Sequence, residues 1–305
     1  MKPILVHLHI YYQEQYLMLK DCLLNLKDYP FKLWVTMVEE HAEIISDLKV
    51  SFKDCKIEIV ENLGYDVAPF VHVINEVNLD EYSYVIKLHT KRDVLDEKFK
   101  EHRYYGSAWR DFLLSFIKDK STIDKVISTL ENHQNIGMSA NINVIIDKLL
   151  DPLLEQEKTK EFIENRHLPF VDYRYVTGTM FIARASVFKA LQSLKLKTED
   201  FEVPDAKHNS CQLAHVIERF MGYIVYLNHM QIIDCTQSLY KTRLYFWHLY
   251  LDQHFNVDYK YEHYIKELFI RKFVLKYLVS VRKTKKNKLL VKIFRIPILS
   301  IKCKK

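Results

Sequence analysis

Hydrophobic and polar residues follow two different periods over the first ninety residues of the chain. Short apolar runs typical of β strands occupy residues 3–10, 31–38, 56–60 and 82–88. The intervening segments have apolar positions every three to four residues, as on one face of a helix, at residues 13–27, 41–48 and 67–77. Short strands that alternate with helices of this length predict a mostly parallel sheet with right-handed crossovers.

The same two patterns continue less regularly to about residue 235. Helices are predicted at residues 108–118, 121–132, 149–166, 185–193 and 209–221, and strands at 135–140, within 173–184 and at 223–227. We therefore predict one α/β domain over residues 1–235, with helices flanking the sheet. An aromatic-rich region follows and is predicted to be helical over residues 236–267.

The C-terminal tail, residues 268–305, differs from the rest of the chain in charge. It holds 13 Lys and Arg residues and no acid, whereas the other 267 residues hold 32 basic and 39 acidic residues. The apolar positions of its first part recur at helical spacing and are Phe269, Ile270, Phe273, Val274, Tyr277, Leu278 and Val281. We predict a basic amphipathic helix there, and a second apolar and basic stretch at 289–301 that Pro297 interrupts. A helix packed in the core is the alternative, but it leaves the cations unexplained, so we expect the tail to lie on an anionic membrane surface.

Cysteine usage and hydropathy indicate the cellular compartment in which the protein works. The five cysteines are far apart and form no CxxC pair, which argues against a disulfide framework or a structural zinc site. The apolar N-terminus is interrupted by His7 and His9 and is predicted to be a buried strand rather than a signal peptide. No apolar run approaches the roughly 18 residues of a membrane span. We therefore expect a cytoplasmic protein, peripheral on the inner face of the cell membrane.

Three potentially cationic residues, Lys87, His89 and Lys91, stand at alternate positions where the strand predicted at 82–88 ends. Alternate residues of an extended chain share one face, and ligands bind at the carboxyl ends of the strands in such sheets. Like charges so close together indicate an anionic partner such as a diphosphate. The alternative is a solvated strand end with scattered charges.

The stretch ENLGYD ends the preceding predicted strand, so Asn62, Gly64 and Asp66 are expected in the same cleft. An Asp at a strand end can accept hydrogen bonds from ribose hydroxyls or from a base N–H. The alternative is that Asp66 caps the helix that begins ahead of Pro69.

Taken in order, the blocks NLGYD, YSYVIKLHTKR, WR, IGM, VTGTMFIAR and LAHVIER resemble the rhamnan-synthesis protein F family, over about residues 56–226. That family comprises bacterial glycosyltransferases of cell-surface polysaccharide assembly. The resemblance implies a GT-A-like, Rossmann-type fold with a donor half at about 1–110 and an acceptor half at about 111–235. It says little about residues 240–305.

Many GT-A enzymes carry an acidic Asp-x-Asp signature that holds a divalent metal against the donor diphosphate. Here the corresponding position reads Lys87-Leu-His89-Thr-Lys91. Positioned cations can stabilise a departing diphosphate as a metal does. We therefore predict that these residues and Asn62, Gly64 and Asp66 bind the donor, and we predict no metal site and no cofactor, with Mn²⁺ or Mg²⁺ left open.

The other half of the site must supply a general base for the acceptor hydroxyl. The acidic and histidine candidates are Glu199, Asp200, Glu202, Asp205, His215 and Glu218. The resemblance implies a role for Asp205, His215 and Glu218, and Asp205 is our first choice of base. Since His215, Glu218 and Arg219 share a helix face, a structural salt bridge is the alternative for these three.

Two further groups are predicted to bind the acceptor. Thr177, Gly178 and Thr179 resemble an acceptor-side turn of GT-A enzymes, in which small residues let a sugar approach the backbone. Trp109 and Arg110 could stack on a sugar or a base, although a Trp buried on an amphipathic helix is the commoner outcome.

These observations predict a glycosyltransferase that moves a sugar from a nucleotide-diphosphate donor to a growing surface polysaccharide or a lipid-linked glycan, with inversion. The resemblance implies rhamnosyl transfer from a deoxythymidine-diphosphate donor, while galactofuranose or another hexose stays open. A non-catalytic scaffold of a polysaccharide-assembly complex is one alternative. Nucleic-acid binding through the tail is another, but the acidic remainder of the chain and the lack of a nucleic-acid module argue against it.

Overall fold

The computed structural model describes residues 1–99, 102–148, 153–205, 212–236, 279–283, 288–293 and 296–302. The chain divides into two compact units, Met1–Arg243 and Leu244–Lys305. The aromatic-rich region and most of the helix predicted at the start of the tail lie outside the described residues.

A seven-stranded sheet forms the centre of the first unit. Its strands in chain order are β1 (Ile4–Ile10), β2 (Phe31–Met37), β3 (Cys55–Ile59), β4 (Tyr84–His89), β7 (Ile136–Ala140), β10 (Phe181–Arg184) and β11 (Gln231–Asp234). The spatial order is β11-β7-β10-β4-β1-β2-β3. Only β10 runs antiparallel to its neighbours, β4 and β7. The α/β class and the mostly parallel sheet are therefore confirmed.

Two small two-stranded sheets lie outside the central one. They pair β5 (Val94–Phe99) with β6 (His102–Gly106), and β8 (Ile145–Asp147) with β9 (Arg174–Val176).

Helices cover the sheet because the connections between parallel strands must cross its faces. They are α1 (Tyr16–Leu24), α2 (Ala42–Ser51), α3 (Val67–Glu76), α4 (Ala108–Leu114), α5 (Lys120–Asn132), α6 (Leu153–Glu164), α7 (Lys189–Ser193) and α8 (Leu213–Leu227). Helix α3 is apolar along most of its length and buries seven residues. Its N-terminus lies where β3 has just ended, which brings residues 62–66 to the carboxyl edge of the sheet.

The strand predicted at 223–227 is wrong, because this segment is the second half of α8. A short apolar run can be a buried strand or a buried helix, and its period alone does not decide. Gly222 is a packing position: a Cβ there would lie 2.2 Å from the carbonyl oxygen of Arg174 in β9. The strand that follows, β11, was not predicted.

The second unit contains a three-stranded antiparallel sheet of β12 (Val279–Lys283), β13 (Lys288–Ile293) and β14 (Ile296–Lys302). The predicted tail helix is therefore wrong for Val279–Val281, which lie in β12. Pro297 lies within β14, next to a register irregularity opposite β13, so it does not interrupt the stretch as expected. Among the described residues, no helix is long and apolar enough to cross a membrane.

Candidate active site at the carboxyl edge of the sheet

The predicted donor-binding strand lies near the centre of the sheet. Lys87 and His89 of β4 are in register with His7 and His9 of β1, and residues paired in this way point to the same face. Helix α3 covers that face, since the ring of Phe70 lies 5.7 Å from the His7 ring and 5.5 Å from Lys87 Nζ. All four polar side chains are at most 3% exposed, so they form a buried polar cluster.

Lys87 is fully buried and forms an ion pair with Asp66, whose side chain is 18% exposed. Its Nζ atom donates hydrogen bonds to Asp66 Oδ2 and, at 2.7 Å, to Thr179 Oγ1, and the Thr179 hydroxyl donates to the same Asp66 oxygen. Burial alone raises the pKa of Asp66, but His89, Lys87 and the two hydrogen bonds outweigh it and hold this pKa well below its usual value. The ionised Asp66 carboxylate therefore compensates the charge of Lys87 within the protein.

His89 lies between two backbone carbonyl groups. Its Nδ1 atom is 3.0 Å from the oxygen of Thr90, and its Nε2 atom is 2.8 Å from the oxygen of Gly178. Burial lowers the pKa of His89 to about 4; nearby Asp66 opposes this effect, and Lys87 and Lys91 add to it. The ring is therefore neutral at pH 7 and carries one N–H.

Lys91 lies beyond the end of β4 and is half-buried, unlike Lys87. Gln15 holds its backbone, with 2.7 Å hydrogen bonds to both the N–H and the carbonyl oxygen. The loop is also tied to β1, because Thr90 Oγ1 accepts from the backbone N–H groups of Tyr11 and Tyr12 at 2.9 Å. The strand face that holds Lys87 and His89 thus ends before Lys91, and Lys91 is the least buried of the three predicted donor-binding cations.

The turn with Asn62, Gly64 and Asp66 leads from β3 into α3, and Asn62 is half-buried. Gly64 has a φ of +57°, and a Cβ there would lie 2.7 Å from a side-chain atom of Phe201, so both conformation and space require glycine. Asp66 occupies the N-cap position of α3, but its side chain makes no capping hydrogen bond. Asp66 is therefore at the capping position, as the alternative expected, but it does not cap the helix, because its carboxylate binds Lys87 instead.

The turn of residues 177–179 joins the central cluster to α8. Gly178 donates its N–H to Glu218 Oε1 at 2.6 Å and accepts from His89 through its carbonyl oxygen. Gly178 and Thr179 have φ values of +74° and +51°. A left-handed Thr is uncommon, and such conformations persist where the surroundings over-determine them, often at functional sites.

The first turns of α8 carry the other predicted residues. Arg219 is 5% exposed and pairs with Glu155 of α6, so the structural salt bridge is present for Arg219. Burial raises the pKa of Glu218, although Arg219 and the Gly178 N–H oppose this shift. Burial also lowers the pKa of His215, whose ring lies 5.6 Å from that of Tyr65.

Asp205, the first choice of base, lies at the end of the segment that precedes α8 in the described chain. Its backbone oxygen accepts from the hydroxyl of Tyr65 at 3.4 Å. The segment is anchored to the turn before α3, since Gly64 N donates to the carbonyl oxygen of Glu202 at 2.9 Å. A carboxylate oxygen of Glu202 also accepts from Leu213 N at the start of α8, at 2.9 Å.

Trp109 and Arg110 lie on α4, and both are half-buried. Arg110 forms an ion pair with Asp93 and donates to the carbonyl oxygen of Lys91 at 3.3 Å. It therefore supports the loop after β4, which is a structural contact that the sequence did not predict.

Sequence reasoning missed the role of His7, His9 and Thr36. The hydroxyl of Thr36 in β2 lies 2.9 Å from His7 Nε2 and 3.0 Å from His9 Nδ1. Two histidines at alternate positions of an apolar strand share a face, so their spacing was a usable signal. Thr36 had no such signal, because its place opposite His9 depends on which strands are neighbours.

In the part of the chain that the structure describes, no group of three or more His, Cys, Asp or Glu side chains is arranged to hold a metal ion. The Asp66 carboxylate, which lies 3.6 Å from His89 Nε2, is already bound to Lys87. Metal independence stays a prediction.

Comparison with known families agrees with the blocks noted in the sequence. The family model of rhamnan synthesis protein F matches residues 1–230. The chain belongs to the rhamnan synthesis protein F family. The family resemblance seen in the sequence is thereby confirmed.

Two curated relatives are also similar over part of the chain. Both are described as uncharacterized protein WxcX, from two strains of Xanthomonas campestris pv. campestris, B100 and ATCC 33913. Each is 28% identical over 191 residues, which is 60% of this chain and 26% of the relative. The chain thus spans about a quarter of the length of the curated relatives that it matches.

Solved structures give weaker likenesses. S. aureus TarS 1–349 has a TM-score of 0.39 at 12% identity, covering 86% of this chain and 68% of that one. The galactosyltransferase LgtC, in complex with donor and acceptor sugar analogs, has a TM-score of 0.37 at 8% identity, covering 75% and 73%. Neither reaches a TM-score of 0.5, so the family assignment rests on the family model.

Proposed function

We propose that this rhamnan synthesis protein F family member is a glycosyltransferase that uses a nucleoside-diphosphate sugar. The observation that carries the proposal is the end of β4, where Lys91 follows a buried cluster of Lys87, His89 and Asp66 at the carboxyl edge of a parallel sheet. Such edges are where open α/β sheets bind ligands. Rhamnan synthesis, the process in the family name, requires transfer of activated sugars.

The three residues Lys87, His89 and Lys91 have different roles in this proposal. Lys91, the half-buried one, contacts the diphosphate as a point charge. Lys87 is bound to Asp66 and acts by holding this carboxylate and Thr179 in place. His89 positions the backbone of Thr90 and Gly178 around the same edge.

The remaining predicted contacts complete the donor and acceptor sides. Asn62, Gly64 and Asp66 form the border of the donor site nearest to α3. The turn of residues 177–179 borders the acceptor, with Trp109 and Arg110 on the neighbouring helix.

Transfer with inversion needs one base. The oxygen of the acceptor hydroxyl attacks the anomeric carbon, the bond from that carbon to the diphosphate breaks, and the hydroxyl proton passes to the base. We assign this role to Asp205. Glu218 fits it less well, because its Oε1 accepts the Gly178 N–H and it is therefore better placed to hold the turn. His215, packed on Tyr65, lies between these two residues along the chain and is the second choice.

The donor sugar is left as a set of alternatives. Rhamnose from a deoxythymidine-diphosphate donor fits the family name, while galactofuranose or another hexose fits the same diphosphate chemistry. A solved structure of S. aureus TarS is of its complex with UDP-GlcNAc, with a TM-score of 0.37, and this sugar nucleotide belongs in the test panel.

We also propose that residues 268–305 attach the protein to the cytoplasmic face of the membrane, near a lipid-linked acceptor. The register of β12, β13 and β14 supports this, since it places Val279, Val281, Val291 and Leu299 at positions of one face. Arg282 and Lys292 fall at positions of the other face. Each cation near an anionic leaflet contributes about 1 kcal/mol, so attachment should be sensitive to salt.

Binding and transfer assays test the enzymatic proposal. Titration calorimetry against deoxythymidine- and uridine-diphosphate sugars should show binding of at least one, and incubation with a glycan acceptor should release the nucleoside diphosphate. A non-catalytic scaffold would show no release. Binding of oligonucleotides without binding of any sugar nucleotide would favour the nucleic-acid alternative.

Liposome co-sedimentation tests the membrane proposal. The full chain should sediment with anionic vesicles and the chain lacking residues 268–305 should not. Equal sedimentation of both, or no preference for anionic over neutral lipid, would rule the attachment out.

A further inference from the structure

Both ring nitrogens of His89 face hydrogen-bond acceptors, which match the protonated ring better than the neutral one. The Nδ1 atom is 3.0 Å from Thr90 O and the Nε2 atom is 2.8 Å from Gly178 O. Both partners are carbonyl oxygens and can only accept. A neutral imidazole has one N–H and serves one of them, whereas an imidazolium has two and serves both.

Burial is the main reason why the ring is not protonated in the protein alone, and the charges around the ring do not offset it. Asp66 of α3 faces Nε2 at 3.6 Å, but its charge is already compensated by Lys87 of the same strand as His89. Lys91 follows on the chain, and the neutral His9 of β1 is paired with His89 across the sheet. On the α8 side, Glu218 is bound to the N–H of Gly178. The balance of burial and these groups lowers the pKa of His89 to about 4.

A bound diphosphate changes that balance. It brings negative charge to the end of β4, next to Lys91, which is half-buried and forms no ion pair with a carboxylate in the described part of the chain. Negative charge nearby favours the protonated form of a histidine. The second N–H then meets a carbonyl oxygen that is already in place, so no rearrangement of the backbone is required.

We propose that His89 takes up a proton when a nucleoside-diphosphate sugar binds, and that the imidazolium then joins Thr90 to Gly178 through both ring nitrogens. This inference rests on the proposed function. His89 is a positioning residue in this scheme. Its two hydrogen bonds tie the donor-side loop after β4 to the turn of residues 177–179, which also carries the contacts to Glu218 and Lys87.

Proton uptake on binding can be detected from the direction in which the affinity for the donor changes with pH. Since the proton binds with the donor, the affinity for the donor should rise as pH falls from 8 to 6, by up to about tenfold per pH unit for one whole proton. A sugar nucleotide is the right probe, because a free nucleoside diphosphate has a terminal phosphate that itself titrates with a pKa of about 6.

The experiment is titration calorimetry of the full chain with the deoxythymidine- and uridine-diphosphate sugar panel, in buffers of different ionisation enthalpy at pH 6, 7 and 8. The slope of the apparent enthalpy against the buffer enthalpy should show net uptake that increases toward one proton at low pH. His89→Asn should bind with no uptake and with little dependence on pH. His133→Asn changes an exposed histidine away from the site and is the matched control, expected to behave as the wild type.

Nitrogen NMR of the histidine rings gives a second readout that does not depend on how His89→Asn folds. In the wild type, the donor should convert one imidazole to a form protonated on both nitrogens. Binding without proton uptake, or uptake that persists in His89→Asn, overturns the inference and leaves the proposed function standing. Failure of every sugar nucleotide to bind overturns both.

Discussion

Two carboxylates lie on opposite sides of the candidate site, and their pKa values are shifted in opposite directions. Asp66, at the start of α3, receives hydrogen bonds from Lys87 and Thr179, and its pKa is held well below the usual value. Glu218, on α8, receives the N–H of Gly178 and is 3.7 Å from Arg219, and its burial raises its pKa. Arg219 does not compensate Glu218 fully, because it is paired more closely with Glu155.

The difference lies in the partner rather than in the depth of burial. A cation in direct contact keeps a carboxylate ionised, while burial without such a contact favours the neutral acid. The α3 side is therefore built around fixed charges, as suits the binding of a diphosphate. The α8 side carries Glu218, whose raised pKa favours the neutral acid, so its carboxyl group can exchange a proton. Four predictions, from the largest expected effect to the smallest, test this contrast.

Asp205→Asn should lower kcat by about 10²–10⁴, which is the usual contribution of a general base. The amide cannot take the proton of the acceptor hydroxyl, whereas donor binding on the α3 side should be retained. Steady-state kinetics together with donor titration measure both. Glu131→Gln, an exposed change at the end of α5, is the control and should leave kcat unaltered. Unchanged kcat in Asp205→Asn would move the base to His215 or Glu218.

Lys87→Met should lower the free energy of unfolding by about 3–5 kcal/mol, because it leaves the Asp66 carboxylate buried without its cation. Turnover should fall by roughly 10²–10³ as the charges at the edge are misplaced. Adding Asp66→Asn should restore part of the stability. Lys20→Met, which breaks the partly exposed pair with Asp47, is the matched control and should destabilise the fold much less than Lys87→Met does. Denaturant unfolding that gives equal losses for the two lysines would show that the α3 side is not built on a buried charge.

Glu218→Gln should lower turnover by less than about tenfold, because Gln keeps an oxygen that accepts the Gly178 N–H and the difference is one modest hydrogen bond. The difference in stability between this variant and the wild type should depend on pH. The pKa of Glu218 is raised in the folded state, so ionisation costs stability as pH rises above the usual 4.5. The Gln variant lacks this cost, and its advantage should be present at pH 7 and absent at pH 4, as followed by thermal unfolding. A loss of turnover as large as that of Asp205→Asn would identify Glu218 as the base.

Excess chelator should leave turnover unchanged within about twofold, if fixed cations stabilise the leaving diphosphate in place of a metal. The measurement is the rate before and after dialysis against chelator. Loss of activity that Mn²⁺ or Mg²⁺ restores would show that the charges of the α3 side do not suffice. Asp93, exposed beyond the end of β4 and paired with Arg110, is then the first residue to substitute.

The order of the central-sheet strands and of the helices up to α7 could be predicted because it follows from local periods, whereas the short strands β5, β6 and β8 were not predicted. Alternating apolar residues make one face of a strand, and apolar residues three to four apart make one face of a helix. The predicted strand was wrong at Tyr223–Val225, because every position there is buried and neither period is visible. The prediction also failed in the tail, where Val279–Lys283 and Lys288–Ile293 pair with each other as strands.

The sequence by itself determined that this is an α/β protein of the rhamnan synthesis protein F family, with cations at the end of its fourth strand. Only the tertiary structure decided what those cations do. Lys87 meets Asp66, 21 residues earlier in the chain, and Thr179, 92 residues later. No local pattern encodes such contacts, because they depend on β10 lying beside β4 and on α3 crossing the face of the sheet. The same sheet order places His89 between Thr90 and Gly178, and burial there lowers its pKa.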